Sequence, residues 1–558
     1  MARSVEEKPE IYHCESLEEQ NSPNTRGISA LAASEDEPQT PYQLGWRTTV
    51  ALLALSMANV CAALSNTTNT TIKFQVAALA RSPADASKAS WIANGNFLIV
   101  LAMGPIFGSL SDRLGKKWFV VGGPLMGIIG SMVSGSAKSV YQIIGGNILT
   151  GFANAGCIVS ISCIQEIMPN ALRPWAMGVS QFMASAFVVL GTFIAAAFVR
   201  DNTGGAGGWR WAYYFNGIIY GLTAVSISIA YFPPKPRLGR RNQLGSIFRG
   251  IDYLGILIMS ASFTSLIIGL TWGGNTYSWN SKQVTATLCC GCIGLVIFGL
   301  YEAFVVKEGI LDHRLFQTLN FPILLFVCTI DGMLLLGVNV LYSQQIFDLF
   351  SQDAVRIAVI LSPYLITSTF GCIPAGWIMA STKSYREMLV MALLWCSLFT
   401  GLMGTVNANR LSWTYAFSAL FGIGTAVTTT IPVVALGLSV PSYLIGTAAT
   451  ISISCRALGG NIGITIFTAI YSNKYASYVG AKAASATEQG LAPVDVNQSA
   501  RAWKYVWLAI AVLVAANGVA ACFLKSVAPM MNSHIESALE GGKVREAQLQ
   551  AIDITGDT

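Results

Sequence analysis

Long apolar segments recur along the sequence, and they restrict its fold more than any other feature. A helix needs about 20 apolar residues to cross a hydrocarbon core ~30 Å thick, and fourteen segments meet this length. Charged residues make up only 11% of the chain, whereas soluble domains carry about 25%. The sequence therefore predicts an all-α polytopic membrane protein. The helices are expected to begin near Trp46, Trp91, Trp118, Tyr141, Trp175, Trp209, Tyr253, Val284, Phe321, Ala354, Met388, Trp413, Leu444 and Trp503.

The composition also argues against several functional classes. The formal net charge of +6 is spread over short loops, which does not favour nucleic-acid binding. Every cysteine except Cys14 lies in an apolar segment, where cysteine behaves as a small hydrophobic residue, so no metal site is predicted. The sequence shows neither a nucleophile-base-carboxylate set nor a phosphate-binding glycine loop. We therefore expect no cofactor, no enzyme activity and no ATP-driven transport.

A short basic turn separates the second apolar segment from the third. Residues 108–117 read G-S-L-S-D-R-L-G-K-K, with a glycine that permits a sharp reversal and basic residues typical of cytoplasmic loops. This turn resembles the G-x-L-x-D-R-x-G-R/K-R/K loop of major facilitator transporters, although a generic basic hairpin would also explain its charges. We expect it to control conformational switching through Gly108, Asp112, Arg113, Gly115, Lys116 and Lys117.

Three further segments indicate which group of major facilitators the sequence resembles. Residues 208–216 read G-W-R-W-A-Y-Y-F-N, residues 252–255 read D-Y-L-G, and residues 456–463 read R-A-L-G-G-N-I-G. Together they are similar to fungal fourteen-helix major facilitators of the drug/proton-antiporter type, and most of all to the trichothecene efflux pump branch. Two departures concern antiport: Asn147 stands where those families usually carry arginine, and the fifth-helix antiporter element lacks its proline at residues 191–196.

The resemblance implies a major facilitator fold with two six-helix halves and two linker helices between them. We place the halves at 46–232 and 321–525, and the additional helices at 252–306. A basic cytosolic loop is expected at 233–251. The acidic composition of residues 1–43 predicts a disordered cytosolic tail, and residues 526–558 are expected to form a second cytosolic tail.

Two ionisable residues lie deep within predicted helices. Asp331 is about 15 Å into the ninth helix at 1.5 Å per residue, and Arg456 has a similar depth in the thirteenth. Charges in a bilayer core are costly and commonly functional. We therefore predict that Asp331 and Arg456 take part in proton coupling. The alternative is a permanent ion pair that only holds the two helices together.

Polar side chains cluster in the outer half of the first helix and in the helices beside it. So polar a stretch cannot face lipid, because unsatisfied amides there would cost several kcal/mol. We predict a substrate cavity lined by Asn66, Asn69, Asn94, Asn96 and Asn147; the alternative is hydrogen bonding between helices without any contact to substrate. Asn497 is the sequon asparagine expected to carry a glycan.

The even number of helices places both termini on one side of the membrane, and the basic loops assign that side to the cytoplasm. The leading functional prediction is proton-coupled export of a hydrophobic toxin, secondary metabolite or drug, by a monomer in the fungal plasma membrane. A vacuolar or other internal membrane is the alternative location. Uptake of an iron siderophore is the rival transport activity, and a non-transporting membrane receptor is the rival of another class.

Overall fold

The computed structural model describes residues 45–78, 90–200, 207–233, 252–273, 277–306, 315–316, 318–351, 353–407, 410–441, 444–487, 496–532 and 535. Within these residues, fourteen helices are long and apolar enough to cross a membrane. They are α1 Trp46–Ala78, α2 Ser90–Leu114, α3 Lys117–Gly135, α4 Val140–Ile167, α5 Arg173–Arg200, α6 Trp209–Ala230, α7 Tyr253–Trp272, α8 Lys282–Phe304, α9 Asn320–Leu349, α10 Ala354–Thr382, α11 Tyr385–Met403, α12 Leu411–Leu438, α13 Ile445–Thr487 and α14 Val496–Ala521.

The observed helices confirm the predicted fold class. For α1 to α13 the predicted starting residues lie within three residues of the observed ones, whereas α14 begins at Val496 rather than near Trp503. The difference arises because the first turn of α14 is polar, and an apolar segment marks only the part of a helix that meets lipid. α13 is 43 residues long, about 65 Å at 1.5 Å per residue, so it extends well past a bilayer core.

The outward faces of the helices are apolar. On α8, large side chains such as Ile293, Val296 and Phe304 are exposed, and they continue along one side of the helix. A continuous apolar face of this size is unfavourable in water and is typical of contact with lipid. The fold is therefore that of a multi-pass membrane protein.

The helices are arranged as two six-helix halves, α1 to α6 and α9 to α14, with α7 and α8 as the additional pair. The halves meet where α2 crosses α13 and where α5 crosses α10. α7 and α8 pack against each other and against α2 through a small apolar cluster of Ile106, Met259 and Phe298. α7 also contacts α13, so the additional pair lies beside one of the two crossings.

Small residues allow both crossings to be close. A Cβ atom at Gly108 of α2 would collide with the Thr450 hydroxyl of α13. A Cβ atom at Gly178 of α5 would lie 2.6 Å from the backbone oxygen of Cys372 in α10. Both contacts lie toward the end of the molecule that carries the α2–α3 turn, and the two halves are closed against each other there.

Some of the predicted segments cannot be compared with the structure. Residues 1–43, residues 234–251 of the basic loop and most of the C-terminal segment lie outside the described residues, as do the side chains of Asn94 and Asn497. The expectations for the tails, the basic loop and the glycan therefore stay predictions.

Candidate functional site

A cavity of about 220 Å³ lies between the two halves. Helices α1, α2, α4 and α5 form one wall, and α9, α10, α12 and α13 form the other. Most of the lining side chains are apolar. The polar ones are Asn59, Asn66, Thr67, Asn154, Gln181, Ser185, Asn339, Tyr364, Ser368, Thr369, Thr429 and Arg456. An apolar cavity with a few convergent polar groups is the usual form of a small-molecule site.

A chain of hydrogen bonds runs through the wall formed by the first half. The Tyr220 hydroxyl donates to Asn154 Oδ1 at 2.6 Å. Asn154 Nδ2 donates to Ser65 Oγ at 2.9 Å and to Asn96 Oδ1 at 3.2 Å. Asn96 Nδ2 in turn donates to Asn66 Oδ1 at 3.0 Å. These bonds link α1, α2, α4 and α6, and they end at Asn66 on the cavity surface.

A second amide pair lies in the same wall. Asn59 Nδ2 of α1 donates to Gln181 Oε1 of α5 at 2.5 Å, and it lies 3.4 Å from Ser180 Oγ. Both members of the pair line the cavity. The amides of α1 are therefore held by bonds to neighbouring helices, which reduces the entropy that would be lost on binding a ligand.

The opposite wall contains a buried ion pair. Arg456 Nε of α13 lies 2.8 Å from Asp331 Oδ2 of α9, and the two side chains are 8% and 1% exposed. The contact lacks hydrogen-bond geometry, whereas Arg456 Nη2 donates to the backbone oxygen of Thr429 at 3.1 Å. Arg456 lines the cavity and Asp331 does not. The guanidinium therefore lies between the carboxylate and the space that a ligand would occupy.

Close contact between two backbones brings this pair together. A Cβ atom at Gly332 would collide with the backbone oxygen of Arg456, and one at Gly459 would collide with that of Thr329. Immediately after Gly332, α9 forms a π-helical turn at Met333–Gly337, and Leu335 and Leu336 of this turn line the cavity. Such turns are rare and frequently occur at functional sites.

The structure separates the predicted cavity asparagines into different environments. Asn66 lines the cavity, and Asn96 is fully buried behind it as its hydrogen-bond partner. Asn69 is buried one turn along α1 and accepts a bond from the Tyr213 hydroxyl at 3.1 Å. Asn147 is also buried. Neither Asn69 nor Asn147 belongs to the cavity lining, and the side chain of Asn94 is outside the described residues.

The sequence prediction did not include several lining residues. Asn59 lies seven residues before Asn66, and Asn154 lies seven residues after Asn147. Residues seven apart share one face of an α-helix, so the helical period could have identified both from the asparagines already noted. Gln181, Asn339 and Tyr364 gave no comparable signal, because their helices contain other polar residues and the sequence does not show which of them face the cavity.

The Asp112 carboxylate joins the two halves at their closed end. Its Oδ2 atom accepts hydrogen bonds from the backbone N–H of Thr447 at 2.8 Å and from the Thr447 hydroxyl at 2.9 Å. Thr447 belongs to the first turn of α13. A negative charge at a helix N-terminus is favourable because free N–H groups and the positive end of the helix dipole meet there. Asp112 therefore stabilises the closed contact between α2 and α13.

Lys116 connects this carboxylate to the end of α4. Its Nζ atom lies 2.9 Å from Asp112 Oδ1 and also forms an ion pair with Glu166. Burial disfavours the charged ammonium, but the carboxylates of Glu166 and Asp112 outweigh that effect and raise the pKa of Lys116 above its usual range. Lys116 therefore remains cationic at pH 7, and it holds α2 and α4 together beneath the cavity.

The other residues of the turn have distinct surroundings. Gly115 has a φ of 98°, a left-handed conformation that favours glycine. Lys117 Nζ lies 3.6 Å above the centre of the Phe232 ring, and Arg113 is in the last turn of α2. The structure thus brings Gly108, Asp112 and Lys116 to the junction between the halves, whereas Lys117 contacts a residue just after α6.

Comparisons with known proteins agree with this architecture. The sequence profile described as "Fungal trichothecene efflux pump (TRI12)" matches residues 10–503. The solved structure of the proton:xylose symporter XylE, a major facilitator, covers 87% of this chain and is itself covered to 98%, with a TM-score of 0.56 and 14% sequence identity. At that identity the likeness concerns the fold alone.

Several fungal transporters are similar in sequence. The MFS-type transporter ucsD of Acremonium sp is 26% identical over 72% of this chain and 67% of its own length. The trichothecene efflux pump TRI12 of Trichoderma arundinaceum is 26% identical over 68% of this chain and 63% of its own length. The efflux pump FUS6 of Gibberella fujikuroi is 27% identical over 79% of this chain and 78% of its own length. Since the family profile matches most of the sequence, the chain belongs to the fungal trichothecene efflux pump family of major facilitator transporters.

Proposed function

We propose that this protein is a proton-coupled exporter that moves a hydrophobic toxin, secondary metabolite or drug out of a fungal cell. The observation that carries the proposal is the position of the Asp331–Arg456 pair beside a cavity between two halves that are closed at one end. Membership of an efflux pump family supports the outward direction. The proposed location is the plasma membrane, and the proposed functional unit is a monomer.

The geometry of the ion pair supports proton coupling. A buried ion pair offsets its desolvation cost only when its geometry is good and its remaining oxygens are bonded. Here both side chains are almost fully buried, and Arg456 Nε is the charged partner of Asp331 Oδ2 at 2.8 Å. Protonation of Asp331 would remove the buried negative charge and release Arg456, which faces the cavity. The state of the carboxylate is thereby linked to the site where a substrate would bind.

The closed end supports a cycle of alternating access. Asp112 joins α2 to the first turn of α13 without touching the cavity. Opening of that end requires the hydrogen bonds to Thr447 to break. We propose that the Asp112 loop sets the rate of this step, while the amides and Arg456 bind the substrate.

Transport by the purified protein in sealed proteoliposomes tests the proposal. Inside-out vesicles with an acidic lumen should accumulate a hydrophobic dye or toxin against its gradient, because protons leaving the lumen drive substrate inward. A protonophore should abolish the accumulation. Accumulation under the opposite pH gradient would indicate symport and thus uptake, and binding without any movement of substrate would indicate a receptor.

A further inference from the structure

The orientation of one amide on the cavity surface, that of Asn66, depends on a residue outside the cavity lining. Asn66 is the last member of the chain that starts at Tyr220. An asparagine side chain can present either its oxygen or its NH₂ group, and the hydrogen bonds of its neighbours determine which. The direction of the hydrogen bonds between Tyr220 and Asn66 therefore determines whether Asn66 presents a donor or an acceptor to a ligand in the cavity.

The Tyr220 contact sets that direction. Its hydroxyl donates to Asn154 Oδ1 at 2.6 Å, and a phenolic O–H is the only hydrogen-bond donor that a tyrosine side chain has. The atom of Asn154 facing Tyr220 is therefore its oxygen, and its NH₂ group must point the other way, toward Ser65 and Asn96. The 2.9 Å contact with Ser65 Oγ has the length of an N–H···O bond.

The orientations of the Asn96 and Asn66 amides follow from this first hydrogen bond. Asn96 uses its oxygen to accept from Asn154 and its NH₂ group to donate to Asn66 Oδ1. Asn66 is thus left with its NH₂ group, which makes no hydrogen bond to another described residue, and the side chain lines the cavity. Arg456 on the opposite wall has only donors by its chemistry.

We infer that the hydrogen-bond chain from Tyr220 to Asn66 fixes an N–H donor on the cavity surface, in the wall across from Arg456, so that the transporter selects uncharged ligands by their carbonyl, ester or ether oxygens. Tyr220 acts as a positioning residue, and Asn66 is the specificity-determining contact. The inference refines the substrate class of the proposed function and so rests on the cavity being the transport site. It does not depend on proton coupling.

A matched pair of tyrosines on α6 provides the test. Tyr220→Phe removes the bond that orients the chain, whereas Tyr213→Phe removes a similar buried bond to Asn69, which is outside the cavity lining. Binding to purified protein in nanodiscs at pH 7 is measured for a tricyclic aryl ketone and the matched aryl amine, both uncharged. The wild type and Tyr213→Phe should prefer the ketone about tenfold, the size expected for one hydrogen bond.

In Tyr220→Phe this preference should fall below about threefold, because the amides can then reverse together, and in Asn66→Leu it should also be lost. An equal loss of affinity for both probes would mean that Tyr220 is merely structural and would overturn the inference. So would a wild type that does not distinguish the probes or binds neither. Intact ketone preference without proton-driven transport in proteoliposomes would refute the proposed function and leave this inference standing.

Discussion

An unpaired charge such as that of Asp331 is unfavourable in the membrane interior. The surroundings of Asp331 are compatible with a role in proton coupling and with a structural role. Its side chain is 1% exposed and lies 2.8 Å from Arg456 Nε. As a coupling residue it would exchange a proton in each cycle. As a structural residue it would remain ionised and hold α9 to α13. The two roles predict different effects of the same substitution.

If Asp331 carries the coupling proton, Asp331→Asn should imitate the protonated state. Proton-driven accumulation in proteoliposomes should then be abolished, while passive exchange of labelled substrate continues. If the residue is only an ion-pair partner, the substitution should destabilise the protein by about 3–5 kcal/mol, because Arg456 would be left buried without its partner. Thermal unfolding in detergent separates these outcomes.

The double variant Asp331→Asn with Arg456→Gln provides the matched control. A structural pair should tolerate the joint removal of both charges and recover stability together with gradient-driven transport. Active transport by this double variant would therefore contradict the coupling role.

Asp112 should affect the rate of transport rather than the binding of substrate. Asp112→Asn retains an oxygen that can accept from Thr447 but removes the charge that favours the α13 N-terminus, an effect of about 0.3–2 kcal/mol. We expect turnover to change by up to about thirtyfold, while the dissociation constant in nanodiscs stays within about twofold. Glu387→Gln, at an exposed ion pair with Arg386, is the control. Equal changes in binding and turnover would refute the switching role.

At the level of helices, the sequence predicted most of the architecture because apolar length is a strong signal. Helix number and most starting residues follow from where the chain can cross lipid. The π-helical turn at Met333–Gly337 was not predictable, because its residues are as apolar as their neighbours and it depends on the close contact of α9 with α13. The cavity was predicted in part: Asn66 and Arg456 were identified, but other polar residues such as Gln181 became recognisable only from their positions in the fold.

The structure also contains a repeated turn that the sequence does not show. The α2–α3 turn has Gly108 at the helix crossing and Gly115 at φ 98°, and the α10–α11 turn has Gly376 at its crossing and Lys383 at φ 55°. The spacing is seven residues in both cases. The sequence similarity is weak, since Ala380 and Lys383 replace the aspartate and glycine, so the two turns share a glycine at a crossing and a left-handed residue rather than a motif.

Substitutions at the left-handed residues of the two turns should change the stability of the protein in opposite directions. Gly115→Ala should destabilise the protein by about 1–2 kcal/mol, because a Cβ atom is unfavourable in the left-handed region. Lys383→Gly should be neutral or stabilising by up to about 1 kcal/mol, since it relieves the same strain. Unfolding temperatures of the two variants in detergent give the measurement. A loss of stability in Lys383→Gly would show that its side chain makes a compensating contact.

The crossing of α9 and α13 should be intolerant of even one methyl group. Gly332→Ala would place its Cβ atom against the backbone oxygen of Arg456, and overpacking of this kind costs about 1–3 kcal/mol. Gly299→Ala in α8 is the control, because its Cβ atom would meet nothing within 4 Å. The control should retain or gain stability, while Gly332→Ala should unfold at a lower temperature and lose transport. Equal stability of the two variants would contradict the close crossing.

At the scale of the whole molecule, the described part of the chain contains fourteen helices able to cross a membrane. If all of them do, the orientation of any one turn determines that of all the others. The α2–α3 and α10–α11 turns both follow even-numbered helices, so they must lie on the same side, and the basic residues beside Asp112 predict that this side is the cytoplasm. From this orientation we predict that the segment joining α13 to α14 faces the outside. We expect a membrane-impermeant thiol reagent to label Gln489→Cys in intact cells, whereas Lys383→Cys, whose side chain is exposed, should react only after permeabilisation. The native cysteines give the background, which the unmodified protein measures. The reverse pattern would invert the orientation and, with it, the direction of transport that we propose.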